Sequence, residues 1–313
     1  MRNWLENDEL QRKINFKELA HSAAKILPRV DNGPVFDGEI DKPSPSIFQQ
    51  LANSLKYYAT RTDDLGGPIQ PEMIDLILLD GGINDLRPFN IMKLPTGKIA
   101  EKTAEFCRDG MTELLTSVAG SYPNARIVVT GYFPLISMQT NNTELLDVVL
   151  KLPGANPIQP AVSRLTRKLL KNVPPKLRLI TLLSKRSETW YAESNTSLQA
   201  AVNKVNGKDL PSPSAGFTGD NSRAFFVKVP FGPENCYAVP KTSFLWRIVE
   251  QTKTDDEMFE ERKKICKAVT TPSDLLTCHR AAAFHPNERG AKAYAAAIKE
   301  KLAPILPLTG WAS

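Results

Sequence analysis

Short apolar stretches alternate with stretches of helical periodicity along this chain. The apolar stretches have the length of strands, and mostly continuous runs of this kind are typical of strands buried on both faces of a parallel sheet. They occupy residues 14–20, 75–80, 125–132 and 223–229. The spacing of apolar residues predicts helices over 46–58, 96–118, 182–205 and 255–269, and one more after residue 286. This alternation predicts an α/β fold with a doubly wound, mostly parallel sheet and helices on both faces.

The second predicted strand ends in a polar turn, which reads Asp80-Gly81-Gly82-Ile83-Asn84-Asp85. The glycines let the backbone leave the strand sharply, so that Asn84 falls just beyond the carboxyl end of the strand. Ligands bind at that edge in open α/β sheets. There the Asn84 amide could donate a hydrogen bond to a developing oxyanion. An Asn/Asp turn with local backbone hydrogen bonds fits this short motif equally well.

A histidine precedes the last predicted helix. The chain contains only three histidines, and His285 is followed by Pro286, a residue that suits the first turn of a helix. Apolar residues then follow at helical spacing, at Ala291, Tyr294, Ala295, Ile298 and Leu302. A histidine at this junction can present its imidazole above the sheet as a general base.

Together, the two motifs resemble two sequence blocks of the SGNH (GDSL-type) hydrolases, which are serine esterases and lipases. The segment 82–85 is similar to that family's third block, and His285-Pro286-Asn287 with Gly290 is similar to its fifth. The order of elements agrees with the family over nearly the whole chain. The resemblance implies a flavodoxin-like, doubly wound domain over residues 1–313, with loop or cap insertions near 135–160 and 230–270.

The resemblance also implies a function and a set of site residues. It implies hydrolysis of a carboxylic ester, with a small-molecule ester, a lipid or an acylated sugar as the substrate. His285 is then the base, and Asn84 and Gly82 belong to the oxyanion site. The turn after 14–20 matches the family's second block, where Ala23 stands in place of a glycine whose N–H joins the oxyanion hole. The methyl group of Ala23 can crowd that site or forbid a positive φ.

The family's nucleophile is the feature that this chain lacks. In the family, a serine follows the first strand in a Gly-Asp-Ser turn, upstream of the second block. No such turn occurs in the printed chain. Ser22 is a weaker candidate, because a turn serine more often hydrogen-bonds its own backbone. The family's fifth block also has an aspartate three residues before the histidine, where this chain has Ala282.

Two interpretations therefore remain open. The chain could be a hydrolase whose first strand and nucleophile lie upstream of the printed sequence, which would leave an apolar gap in the middle of the sheet. It could instead be a non-catalytic relative that binds an ester, an acyl chain or a glycan. Loss of the nucleophile in a serine hydrolase costs on the order of a million-fold in turnover.

Composition excludes several other classes. The net charge of +6 is spread along the chain, so we expect no nucleic-acid partner. No apolar run is long enough for an integral membrane segment, and the polar N-terminus resembles no signal peptide, although the family is often secreted. An unrelated nucleotide-binding protein is a weak alternative, since no Gly-x-Gly-x-x-Gly motif or phosphate-binding loop is present. We expect no cofactor and no metal.

The cysteines leave one question open. Cys266 and Cys278 lie 12 positions apart around a turn, whereas Cys107 and Cys236 have no nearby partner in the sequence. No Cys-x-x-Cys occurs, so a zinc ribbon is not expected. Relatives with a similar C-terminal region often pair cysteines there. A disulfide and two buried thiols are equally compatible with this spacing.

Overall fold

The computed structural model describes residues 15–20, 24–27, 46–62, 66–145, 175–207, 222–248, 259–267, 275, 278–279 and 282–305. These residues include three strands: β1 (Leu76–Leu79), β2 (Arg126–Thr130) and β3 (Ala224–Val227). Their α-helices are α1 (Ile47–Ala59), α2 (Ile83–Leu86), α3 (Pro88–Lys93), α4 (Thr96–Thr103), α5 (Met111–Ser121), α6 (Pro175–Asn206), α7 (Phe259–Cys266) and α8 (Glu288–Leu302). A π-helix, Ala104–Gly110, joins α4 to α5, and short 3-10 helices cover Pro71–Met73 and Pro233–Asn235.

The three strands form one parallel sheet in the order β1-β2-β3. The register pairs Ile77 with Ile127, and Val129 with Phe226. Every residue of β2 is buried, as its central position in this sheet requires. The structure therefore confirms that the stretches 75–80, 125–132 and 223–229 contribute parallel strands to a single sheet.

Helices cover both faces of the sheet. On one face, Ile127 and Val129 belong to the large core, which includes buried side chains of α4, α5 and α6. On the other face, Val128 and Val227 pack with Ile298 and Leu302 of α8. Side chains alternate between the faces of a strand, so a continuous apolar run such as that of β2 needs cover on both. The expectation of an α/β fold with helices on both faces is confirmed.

The predicted strand at 14–20 is wrong over residues 15–20, which have no regular structure; residue 14 lies outside the described part of the chain. Phe16 is 57% exposed, and the residues around it are polar. A strand requires a neighbour, and this segment pairs with none of the described strands. Among the described residues, β1 consequently has a partner on one edge only, and its Leu78 is 39% exposed.

The long helices agree with the sequence, but the start of the last one does not. The helix predicted over 182–205 is confirmed and begins earlier, at Pro175, and the one predicted over 96–118 extends to Ser121. Helix α8 begins at Glu288, because the Asn287 side chain accepts a hydrogen bond from Gly290 N at 3.1 Å and caps it. Pro286 therefore precedes the cap instead of lying in the first turn.

Two other expectations are corrected in part. Ala291 was expected to be on the apolar face of the last helix but is exposed, whereas Ile298 and Leu302 are buried. Of the insertion expected near 135–160, residues 146–160 lie outside the described part. Residues 135–145 pack largely into the protein, with Leu135, Ile136 and Leu145 in the main core.

Candidate functional site

The turn after β1 needs a glycine at position 82. Gly82 has φ 122° and ψ −30°, a conformation that L-residues rarely adopt, and it caps the single turn of α2. A Cβ at this position would collide with Cys107 Sγ, which is fully buried beneath it. The close approach of Cys107 and the positive φ together direct the chain from β1 into α2, which carries Asn84 and Asp85.

Asn84 and Asp85 do not make the local turn that the sequence also allowed. The two carboxylate oxygens of Asp85 accept from Ile26 N at 3.2 and 3.0 Å, and Asn84 Nδ2 donates to Ala24 O at 3.0 Å. These bonds join α2 to the described segment 24–27, which directly follows the predicted second block. One N–H of the Asn84 amide remains available after this bond, because a primary amide has two.

Burial raises the pKa of Asp85, even though backbone N–H groups of Ile26 and Leu27 and the charge of Lys25 act in the opposite direction. The carboxylate therefore holds the segment 24–27 at some cost in its own solvation. Sequence reasoning identified Asp85 only as part of the motif. Its function in the structure is to fasten the 24–27 segment beside Asn84.

The backbone around His285 is held by the segment 243–246. Trp246 N donates to His285 O at 2.9 Å, and Phe284 N donates to Trp246 O at 3.2 Å. Phe284 has φ 67°, which is unusual for a bulky residue, and its ring stacks on Tyr237 with centroids 4.2 Å apart. Such backbone conformations persist only where the surrounding contacts enforce them. The loop therefore presents His285 in a fixed position.

The His285 imidazole is oriented by a backbone carbonyl. Its Nδ1 lies 3.3 Å from Ala283 O. Because a carbonyl oxygen can only accept, this contact assigns the proton to Nδ1 and leaves the Nε2 lone pair free to act as a base. The side chain is open to water, yet protein surrounds it on most sides, and this partial desolvation lowers the pKa of His285. The lowered pKa favours the neutral imidazole.

The structure adds Asp80, which sequence reasoning did not select. Asp80 directly follows β1, and like His285 it is accessible to water although protein surrounds it. Desolvation raises the pKa of Asp80, and the charge of His285 lowers it. The pKa of Asp80 therefore responds to burial first and to the charge of His285 second. The sequence could have pointed to Asp80, because it is an acidic residue directly after a predicted strand.

Two tyrosines line the same region. Tyr132 follows β2, and its hydroxyl accepts from Ile83 N at 3.2 Å, while the Tyr294 hydroxyl donates to Gly131 O at 3.0 Å. Burial first, and then the charge of Asp80, raise the pKa of both tyrosines well above the usual value. Both hydroxyls are therefore neutral and act as hydrogen-bonding groups.

An aromatic cluster attaches α8 to the ends of β2 and β3. Phe133 stacks on Phe231 with ring centroids 4.9 Å apart, and Tyr294 meets both rings edge-on. Phe244, in the segment that holds the His285 loop, also contacts Phe231. Contacts of this type add to the apolar burial. The cluster fixes the helix that follows His285 relative to the carboxyl edge of the sheet.

Several predicted site residues remain untested. Ala23 and Ser22 lie outside the described residues. The oxyanion role of Asn84 and of Gly82 stays a prediction. Within the described ranges, no cluster of three or more potential metal-ligating side chains occurs. A shallow groove elsewhere, lined by Asp109, Thr112, Glu113, Thr116, Ser117 and Lys204, contains none of the predicted site residues.

The cysteine question has a definite answer. Cys266 and Cys278 form a disulfide, which connects the end of α7 to the segment that leads to His285. Cys107 and Cys236 are free and buried, and burial raises the pKa of Cys236 to about 12. Both are inert thiols at neutral pH.

Comparison with known proteins leaves the family of this chain without direct support. No protein-family model matches the chain, and no curated protein matches it. Of the helices that the structure describes, none combines the length and the apolar character needed to cross a bilayer. The assignment of function therefore rests on the geometry of the site.

Proposed function

We propose that this protein is a carboxylic ester hydrolase of the SGNH (GDSL) type. The observation that carries the proposal is that both motifs are attached to the carboxyl end of β2. The Tyr132 hydroxyl accepts from Ile83 N, and the Tyr294 hydroxyl donates to Gly131 O. A base and an oxyanion donor must converge on one carbonyl carbon for ester hydrolysis. These bonds support such convergence, because Asn84 directly follows Ile83 and Tyr294 lies in the helix that follows His285.

The chemistry proposed for His285 is general-base catalysis. Its neutral imidazole, with the proton on Nδ1, can take a proton at Nε2 from an attacking hydroxyl. The remaining N–H of Asn84 can donate to the oxygen on which negative charge develops, a contribution usually worth about 100- to 1,000-fold in turnover. The bond from Asn84 to Ala24 O holds that amide in place before the substrate arrives.

We propose further that the sheet is the middle of an SGNH-like, doubly wound sheet. Support comes from the edge of β1, which pairs with no strand among the described residues, and from the exposure of Leu78 there. Unpaired apolar edges are avoided in stable proteins. A first strand that ends in a Gly-Asp-Ser turn would cover this edge and bring a serine to its carboxyl end.

A second candidate function is binding without catalysis. The absence of a Gly-Asp-Ser turn from the printed chain favours it. In that case the site would hold an ester, an acyl chain or a glycan, and His285 would be a hydrogen-bonding group and not a base. The two candidates differ in whether a serine next to His285 becomes nucleophilic.

Covalent labelling with a fluorophosphonate separates the candidates, because the probe reacts with a serine that a base activates. We expect no labelling of the chain as printed, and stoichiometric labelling when it is extended by an apolar strand and a Gly-Asp-Ser turn. His285→Ala should abolish the labelling, whereas His279→Ala should not. Labelling that survives His285→Ala would contradict the proposal. Labelling of the unextended chain would identify its own nucleophile, and Ser22→Ala would test the first candidate.

A further inference from the structure

The helical turn that carries Asn84 has no cap from its own chain. Helix α2 is a single turn, and its N-cap residue, Gly82, makes no side-chain hydrogen bond to the first N–H groups of the helix. The N–H of Ile83 donates instead to the hydroxyl of Tyr132 at 3.2 Å. A hydroxyl from the end of β2 therefore takes the place of a local capping side chain.

The parallel register explains why Tyr132 reaches this turn. Leu79 of β1 pairs with Val129 of β2, and Gly82 and Tyr132 each lie three residues beyond that pair. The two chains therefore leave the sheet side by side. Sequence reasoning placed Tyr132 only at the end of a predicted strand, because the partner of its hydroxyl lies 49 positions away.

Tyr132 is a rigid support for this contact. It is 6% exposed, and its ring lies against Trp190 of α6, with ring centroids 5.0 Å apart. Its carbonyl accepts from Asn195 Nδ2, also of α6, at 3.1 Å. Both the side chain and the backbone of Tyr132 are thus fixed to the long helix, and in a close-packed interior its hydroxyl has little freedom to follow a moving Ile83.

Asn84 is consequently held at two points. Its side chain donates to Ala24 O at 3.0 Å, and its backbone directly follows Ile83, whose N–H is bound to Tyr132. With the bond to Ala24 alone, the short helix can pivot about the side chain that has to be oriented. The bond to Tyr132 removes this freedom. Such preorganisation is what an amide needs in order to stabilise a developing oxyanion.

We propose that Tyr132 is the positioning residue of Asn84, and that it acts through the N–H of Ile83. This inference rests on the proposed function, in which the second N–H of the Asn84 amide donates to the oxyanion. In this role Tyr132 touches neither the substrate nor the reacting atoms. It acts on the oxyanion donor and not on the base, because the backbone of His285 is held separately, by the bond from Trp246 N.

The test is NMR spectroscopy of the full chain as printed, with Tyr132→Phe as the variant. Phenylalanine keeps the ring and removes only the acceptor of the Ile83 N–H. We expect the amide proton of Ile83 to exchange with solvent about 10-fold faster, the factor expected for the loss of one hydrogen bond. The side-chain amide signals of Asn84 should shift at the same time. The spectrum of Asn84→Ala assigns these signals.

Tyr122→Phe is the matched control. Tyr122 is 3% exposed and its hydroxyl is hydrogen-bonded to Ser54 Oγ, but it precedes β2 and so lies at the opposite end of that strand. The control removes the same atom from a similarly buried tyrosine, and the Asn84 signals should stay in place. Asn84 signals that stay in place in Tyr132→Phe, or that shift equally in Tyr122→Phe, would overturn the inference.

A second variant keeps the inference testable if Tyr132→Phe does not fold. Asn195→Ala removes the bond to the Tyr132 carbonyl and leaves the hydroxyl intact. It loosens the support of Ile83, so the side-chain amide signals of Asn84 should shift here as well. Signals that do not move in Asn195→Ala would then contradict the inference.

Labelling kinetics distinguish this inference from the proposed function. In the extended chain, Tyr132→Phe should slow fluorophosphonate labelling about 10-fold. It should have no further effect in an Asn84→Ala background, and it should not change the pKa on which labelling depends. If the Asn84 signals shift but no labelled form is ever obtained, the proposed function fails and the positioning of Asn84 stands. If labelling occurs and Tyr132→Phe slows it equally with and without Asn84, only the inference about Tyr132 fails.

Discussion

Substitution of Gly82 by alanine should strongly destabilise the protein. An alanine at φ 122° carries backbone strain of about 1–3 kcal/mol. Its methyl group would in addition overlap Cys107 Sγ, and overpacking of a buried site costs about 1–3 kcal/mol. The sum is a loss of about 2–6 kcal/mol, a large fraction of the stability of an ordinary domain.

A double-mutant cycle with Cys107 separates the two contributions. Cys107→Ala alone should cost about 1 kcal/mol, because it removes one buried group of methyl size. In the double variant, the alanine methyl at 82 occupies the vacated space, so the overpacking disappears and only the strain remains. We therefore expect the double variant to be about 1–3 kcal/mol more stable than the sum of the single effects predicts.

Urea denaturation followed by circular dichroism measures these free energies of unfolding. Gly120→Ala is the matched control, because Gly120 lies in α5 with no atom within 4 Å of the added methyl group. It should be neutral or stabilise by about 0.5–1 kcal/mol. A Gly82→Ala variant as stable as Gly120→Ala, or strictly additive effects at 82 and 107, would refute the reasoning about this turn.

Three further predictions concern Asp80, Asp85 and the disulfide. Folding raises the pKa of Asp80 above 3.8, so the free energy of unfolding should fall as pH rises through this raised pKa. Asp80→Asn should therefore be more stable than the wild type at pH 7. Thermal denaturation of the two proteins with the same pH dependence would contradict this. Asp85→Ala should lose about 1.5–3 kcal/mol in urea denaturation, because Ile26 N loses its charged acceptor, whereas Asp85→Asn should lose less. Replacement of Cys266 and Cys278 by serine should cost about 3 kcal/mol for a loop of this length, and a thermal midpoint unchanged by the replacement would refute a stabilising role.

The strands and long helices could be predicted because apolar periodicity reflects burial directly. Both runs, at 75–80 and 125–132, are continuous. The structure buries β2 between two helical layers, whereas β1 is only partly buried and its Leu78 is exposed. The segment 15–20 shows the limit of this reasoning. It has apolar residues at strand-like positions, but pairing depends on a neighbour far along the chain, which local composition does not reveal.

The site illustrates the same division. His285 and the Gly82–Asp85 motif carry their chemistry in residue types and spacing, so the sequence could single them out. Tyr132 and Tyr294 gain their significance from hydrogen bonds to Ile83 N and Gly131 O, which only the fold establishes. The bond from Asp85 to Ile26 N is equally non-local, and for that reason the local turn was a reasonable alternative.

The central claim is that His285 acts as a general base that takes the proton of the hydroxyl or water attacking an ester carbonyl. The most direct test is the residual hydrolysis of 4-nitrophenyl acetate by the chain as printed. The rate should exceed that of buffer only slightly, because no activated serine is expected. It should depend on a deprotonated group whose pKa lies below 6.5, since burial lowers the pKa of His285 from that value. His285→Gln should remove this component, Asn84→Ala should reduce it, and His279→Gln should leave it intact. Identical rates for wild type and His285→Gln across the pH range would contradict the account.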